Sequence, residues 1–197
     1  MRMPDFPVEA DKVQLRPFEH SDLDALERFV TAPVAQRYMA LPVRDGAELR
    51  NHLDGLLSMR RLTRPGDILA MAVLPLGGTH AMGQVSLVWT DATASQAELR
   101  FVFAPEGHEV GLDRAALRAA LDIAFEDLNL HRVLVRTSAR HQRTVRLLKQ
   151  LGLRLEAHFR EHALYQGEWD EELHFAILDR EWRHADKVRE LHRHRVA

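Results

Sequence analysis

The chain contains no cysteine. Disulfides, thiolate metal sites and cysteine nucleophiles are thereby excluded, and a reducing compartment is the fitting one. It also lacks an excess of either charge: 27 Lys and Arg stand against 29 Asp and Glu, a formal net charge of −2. No global basic field draws it to nucleic acid or to an anionic membrane. No apolar run approaches membrane-spanning length, and the opening MRMPDFPVEADKVQ has no apolar h-region. A cytoplasmic protein without membrane association is expected. Repeats, low-complexity tracts and linkers are missing too, so a single domain over residues 1–197 is expected. The composition that remains, 46% hydrophobic and 28% charged over 197 residues, suits one well-buried core.

Apolar periodicity gives the element order. KVQLRP alternates as a short strand, and HSDLDALERFV follows as a helix with Ser21 as its expected N-cap. Pro33, Pro42 and Gly46 interrupt the next region, after which Ala47 to Arg61 carries a helical stripe through Leu49, Leu53, Leu56 and Leu57. ILAMAVLP, QVSLVW and AELRFVFAP then read as three strands separated by GGTHAMG and TDATASQ. A helix opens near Asp113, HRVLVRTS is a further strand, and HQRTVRLLKQLG is a helix closed by Gly152. Two strands around the Gln166–Gly167 turn finish the pattern, ahead of a locally basic tail over 184–197. A strand–helix–strand–helix ending joined to an antiparallel meander makes an α+β, mixed-sheet architecture of about seven strands.

One stretch carries a chemical signal. In PEGHEVGLDRAALRAALDIAFEDL, residues 105–128, Leu117, Leu121, Ala124 and Leu128 recur on one face of a helix that follows the turn at Gly111. Free backbone N–H groups at such a helix start suit an anion. The same turn holds Glu106, Glu109 and Asp113 against Arg114 alone. A carboxylate about 4 Å from a phosphate oxygen repels it by roughly 4 kcal/mol at an effective dielectric near 20, whereas a helix terminus attracts by only about 0.3–1 kcal/mol at an exposed site. Asp113 in the competing role of N-cap would itself consume the N–H groups a phosphate needs.

Taken in order, VQLRPFEHSDLDAL, the LGLRLEAHFRE stretch and LDREW resemble the GNAT superfamily of N-acetyltransferases, and within it the branch of the RimJ/RimL ribosomal-protein alanine acetyltransferases. The resemblance runs from about Val13 to Trp182 and is strongest over residues 128–182. It implies a GNAT fold and transfer of acetyl from acetyl-CoA, as cosubstrate and without a metal, to a primary amine by direct attack in a ternary complex. The acceptor it implies is an amine-bearing small molecule or a protein N-terminus. A homodimer is allowed.

The resemblance also implies site residues. Pantetheine would lie beside the backbone of Val102 and Phe103. The pyrophosphate loop would be His108, Glu109, Val110, Gly111, Leu112 and Asp113, with Arg114, Arg140 and Arg143 available to offset its acids. Only Gly111 keeps the family's identity there; His108 stands for an Arg or Gln and Asp113 for a small residue. Glu98 stands where the branch has a candidate base for the amine proton, an exposed cross-strand partner being its alternative role. Leu148 occupies the position of the tyrosine that protonates the departing thiolate in many relatives. The branch uses an Asn and a Ser instead, and His141 and Thr144 stand in those places, with helix capping as their alternative.

Other chemistries are weaker. Twelve histidines, with His184, His192 and His194 in the tail, include no H-E-x-x-H and no common metal spacing. The basic tail reads as a solvated amphipathic helix, and nucleic-acid binding through it is disfavoured. The main competing class is a GNAT-fold binding or assembly module whose acidic loop no longer holds CoA. Acceptor specificity is expected from the Pro33–Arg61 region, with Asp45, Glu48 and Asp54 in it, and from the Tyr165–Glu172 hairpin.

Overall fold

The computed structural model of the chain describes residues 2–32, 46–165 and 167–185. Its elements are strands β1 (Val8–Ala10) and β2 (Val13–Pro17), helices α1 (Leu23–Val30) and α2 (Gly46–Ser58), strands β3 (Ile68–Pro75), β4 (Gly83–Asp91) and β5 (Gln96–Phe103), helices α3 (Pro105–Glu109) and α4 (Leu112–Asp122), strand β6 (Arg132–Ser138), helix α5 (Gln142–Leu151) and strands β7 (Arg154–Tyr165) and β8 (Glu168–Leu178). A last helical segment covers 179–185.

The strands form one sheet in the order β1-β2-β3-β4-β5-β6-β8-β7. Every neighbouring pair is antiparallel except β5 and β6. The strand added to the expected seven is β1, a three-residue segment too short to show a period of its own. Expected positions in the stretch 33–45, Asp45 among them, and in the tail beyond residue 185, His192 and His194 among them, lie outside the described residues, as does Gln166.

Strand β3 explains how the two faces are filled. Leu69, Met71 and Val73 enter the larger core with α4 and α5, whereas Ala70, Ala72 and Leu74 enter a smaller one with Leu26, Phe29, Leu49 and Leu53 of α1 and α2. Both faces of β3 are covered, so its sequence is continuously apolar rather than alternating. The alanines on one face leave room for two helices. Helix α1 starts one residue later than Ser21 suggests, with Asp22 as its cap residue, because a 3-10 turn, His20–Asp22, precedes it. Asp22, not Ser21, organises that start, accepting the Glu19 N–H at 2.8 Å and a paired bond from Arg16 at 2.7 and 2.8 Å.

Helix α4 is buried on nearly all sides, through Leu112, Ala115, Ala116, Leu117, Ala119, Ala120 and Leu121. It passes into a π-helical turn, Ile123–Asp127. There the 179–185 segment docks, with Trp182 fully buried and its Nε1–H donating to Asp122 Oδ1 at 2.8 Å. Helix α5 ends as its sequence predicts. Gly152 takes φ 94°, with the Gly152 N–H bonded to Lys149 O and the Leu153 N–H to Leu148 O.

The pairing of β4 with β5 fixes the end of β5. Gly83 faces Phe103, and a Cβ at Gly83 would overlap the Phe103 ring and lie 2.8 Å from Val102 O. Gly83→Ala therefore forces the β5 backbone aside. A loss of about 1–3 kcal/mol in unfolding free energy is expected from denaturant titration; an unchanged midpoint would contradict this packing.

Candidate active site

Strands β5 and β6 run side by side for only three residue pairs, Gln96↔Arg132, Ala97↔Val133 and Glu98↔Leu134. Beyond them β5 keeps its bonds to β4 as far as Phe103, and β6 keeps its bonds to β8 as far as Ser138. The two strands part. Between them the backbone of residues 99–103 has no strand partner on the β6 side among the described residues. Val102 and Phe103, the residues expected beside an extended ligand, lie on this open edge. Phe103, like Leu99 and Phe101, turns its backbone N–H and C=O toward the gap and can take such a ligand as an added strand, whereas those of Val102 face Gln84 on β4.

Past Phe103 the chain reverses through α3, where the sequence pattern suggests only a turn, and enters α4. Gly111 at φ 68° is the α4 cap residue, with no side-chain cap bond. A left-handed φ suits glycine, and it starts the helix at Leu112 rather than at Asp113. Asp113 is consequently not the N-cap. It lies in the first turn and points inward, with 3% of its surface exposed. Its Oδ2 accepts from His108 Nδ1 and from Arg143 Nη2, each at 2.9 Å, and its Oδ1 accepts the Arg114 N–H at 2.7 Å. Arg143 Nη2 also reaches His108 O at 2.8 Å, and Lys12 Nζ donates to Val110 O at 2.9 Å.

This overturns the electrostatic objection in the loop. The Asp113 charge is spent on Arg143 and His108 and does not face a ligand. Glu106 and Glu109 are exposed. Asp113 consumes only the Arg114 amide, and among the described residues no acceptor lies on the N–H groups of Leu112 and Asp113. Two amides at a helix start, with the Arg143 guanidinium beside them, suit a diphosphate. The histidine that replaces the family's Arg or Gln is also accounted for, because His108 packs 5.7 Å from the Phe103 ring while holding Asp113.

His141 and Thr144 meet at the start of α5. His141 is the residue before the helix and makes no side-chain cap bond, while its Nδ1 lies 3.0 Å from Thr144 Oγ1. Burial pushes the imidazole pKa down, helped by the charges of His108 and Arg143, so the ring is neutral near pH 7. Thr144 is buried, and the expected capping alternative is not what the pair does.

Glu98 sits where the strands part, on the sheet face away from the larger core. It is 6% exposed, not the open cross-strand residue of the alternative reading. Arg136 of β6 reaches across the gap and donates Nε to Oε1 at 2.9 Å and Nη2 to Oε2 at 2.8 Å; Arg100 donates to Oε2 at 2.8 Å. Burial raises the carboxyl pKa, but the hydrogen bonds and charges of Arg100 and Arg136 outweigh it, and the net shift is downward from 4.5. Nothing in the sequence singles out this arginine pair. The i, i+2 spacing of Glu98 and Arg100 puts them on one face, but the partner on β6 is 38 residues from Glu98 and only the fold brings it near.

Residues 12–154 match the family model described as the acetyltransferase (GNAT) domain. The chain belongs to the GNAT acetyltransferase family. Among curated relatives, the uncharacterized N-acetyltransferase YnaD of Bacillus subtilis is 32% identical over 85 residues, 43% of this chain and 50% of that protein. The spermidine N(1)-acetyltransferase of Vibrio cholerae is 27% identical over 50% of this chain and 57% of its own length. The chain thus spans about half the length of these two relatives. The spermidine N(1)-acetyltransferase of Escherichia coli matches at 24% over 88% of this chain and 89% of that protein. The putative ribosomal N-acetyltransferase YdaF of Bacillus subtilis matches at 27% over 51% of this chain and 55% of that protein. A GNAT acetyltransferase structure from Bacillus anthracis superposes with a TM-score of 0.78 at 21% identity, covering 88% of this chain and 99% of that one. The Vibrio cholerae spermidine N-acetyltransferase in complex with CoA and spermine gives 0.74 at 21% identity, covering 87% and 98%. At that identity these structures show the fold. No helix among the described residues is long and apolar enough to cross a membrane, and no group of three candidate metal ligands occurs among them.

The depressed carboxyl pKa values give a test. Asp113 is lowered from 3.8 because the bonds from His108, Arg143 and the Arg114 N–H outweigh its burial; Glu98 is lowered from 4.5. In each case the unfolded chain binds a proton more readily than the native one. The stabilisation is therefore complete above the unfolded values and is lost as pH falls through the native ones. The melting temperature should drop as pH falls below about 4.5. In Glu98→Gln, which starts lower, it should drop less steeply. A steeper decline in the variant would contradict the clamp.

Proposed function

We propose that the chain transfers an acetyl group from acetyl-CoA to a primary amine, by direct attack of the amine on the thioester in a ternary complex at the gap between β5 and β6. The observation that carries this reading is the three-pair contact of the two strands followed by an open β5 edge that leads to the amides of α4. Phe103 would pair with the pantetheine amides, with Val102 beside it holding β5 to β4 through its own backbone. The N–H groups of Leu112 and Asp113, with Arg143, would hold the pyrophosphate, and Gly111, Val110, Glu109, His108 and Arg114 would shape that loop.

The chemistry then requires two proton events. The attacking nitrogen forms the N–C bond and loses one proton; the C–S bond breaks and the sulfur takes one up. For the sulfur, we assign His141 and Thr144. With the hydroxyl of Thr144 donated to His141 Nδ1, the neutral ring carries its proton on Nε2, from which it can pass to the departing thiolate. For the nitrogen, Glu98 is poorly suited, because both of its oxygens already accept guanidinium N–H groups and its pKa is depressed. We assign Glu98 a positioning role, fixing Arg100 and Arg136 where the strands part, with the amine proton lost to water at the open face. The acceptor is a primary amine on a small molecule or at a protein N-terminus. The RimJ/RimL-like reading favours the protein N-terminus, supported by the partial match to a putative ribosomal N-acetyltransferase.

Thiol release from acetyl-CoA in the presence of an amine panel tests the reaction. Amine-dependent release is expected, and acetyl-CoA at 100 times its Kd should stabilise the protein by about 2.7 kcal/mol. Neither release nor a melting shift would leave a GNAT-fold binding module. The kcat/KM of the active protein should rise with pH as the acceptor deprotonates, and Glu98→Gln should keep that limb at the same pH. A limb that disappears in the variant would make Glu98 the base.

A further inference from the structure

The sheet face that Glu98 shares with its arginines continues onto β8 and β7. There Glu172 accepts from His174 Nε2 at 2.7 Å and lies 3.7 Å from His162 Nε2. The Phe159 ring lies 4.7 Å from the His174 ring and 5.2 Å from that of His162. Each carboxylate described on this face is thus held by a cation or an imidazole. The guanidiniums are not comparably consumed. Arg100 is 50% exposed and Arg136 40% exposed, and their only carboxylate hydrogen-bond partner among the described residues is the single Glu98. Of the five N–H groups that each guanidinium offers, Arg136 spends two and Arg100 one on Glu98.

We propose that the acceptor is a small amine that also carries a carboxylate a few bonds from its nitrogen, an amino acid, with the carboxylate received by Arg100 and Arg136 at the point where β5 and β6 part. This rests on the acetyltransferase reading above and takes its small-molecule acceptor in place of the protein N-terminus. A polyammonium acceptor needs open carboxylates, and Glu98 and Glu172 of this sheet face are both already held; a planar carboxylate matches the guanidinium fork. Glu98 and Glu172 together balance the two guanidinium charges, so the selectivity rests on the guanidinium fork and its spare N–H groups rather than on a net charge.

The test compares each amino acid with the amine it becomes on losing its carboxylate: lysine with cadaverine, and phenylalanine with phenethylamine, with spermidine as a fifth acceptor. With the intact chain and acetyl-CoA, kcat/KM for each amino acid should exceed that of its decarboxylated partner by about tenfold or more. In Arg100→Gln that ratio should collapse toward one, whatever happens to the absolute rates. A ratio that favours cadaverine, phenethylamine or spermidine overturns this proposal alone, as does a ratio that Arg100→Gln leaves unchanged. No transfer to any of the five amines overturns this proposal, and only the further absence of thiol release with a peptide bearing a free N-terminus, together with no melting shift on adding acetyl-CoA, overturns the acetyltransferase reading.

Discussion

The structure depends on a contact that stops. Strands β5 and β6 are the one parallel pair among the described strands of an otherwise antiparallel sheet, and they hold together for three residues before diverging. At the closed end Arg132 donates to Gln96 at 2.8 Å and Arg136 clasps Glu98, so polar cross-links fix the point of divergence. At the other end each strand is committed elsewhere, β5 to β4 through the close Gly83–Phe103 approach and β6 to β8. An unpaired strand edge is normally a hazard that folds cover or charge. Here it sits inside the molecule, opening onto a helix start, which is the arrangement expected of a place for an extended ligand with an anionic end.

Most of the architecture was legible in the sequence, because most elements carry a clean period. The alternation in AELRFVFAP, the stripe in HQRTVRLLKQLG and the glycine closing it correspond to β5 and α5 with errors of one or two residues. What was not legible follows from rules that act over longer range. Strand β1 is too short for a pattern, and the 3-10 turn before α1 is fixed by Asp22 reaching Arg16 rather than by the residue best suited to capping. The element order without its pairings also gave no sign of where two strands would part.

Charges in the site follow the same rule. A local count of acids and bases around Gly111 points to repulsion of a phosphate. Arg143, 30 residues away in sequence, and His108 turn the Asp113 carboxylate inward and neutralise it. Glu98 changes in the same way: a candidate base in sequence, it is held by arginines on two strands in space. Both carboxylates organise cations next to the gap, one near the expected diphosphate and one at the proposed acceptor face. A local count of charge is a poor guide wherever buried groups are paired across strands and helices.

Amide hydrogen exchange with and without CoA addresses the gap most directly, because an added strand and a seated diphosphate each protect particular backbone N–H groups. The account predicts slowed exchange confined to residues 99, 101 and 103 of β5 and to the free amides of Leu112 and Asp113 at the start of α4. Protection confined to other elements, or none at saturating CoA, would contradict it.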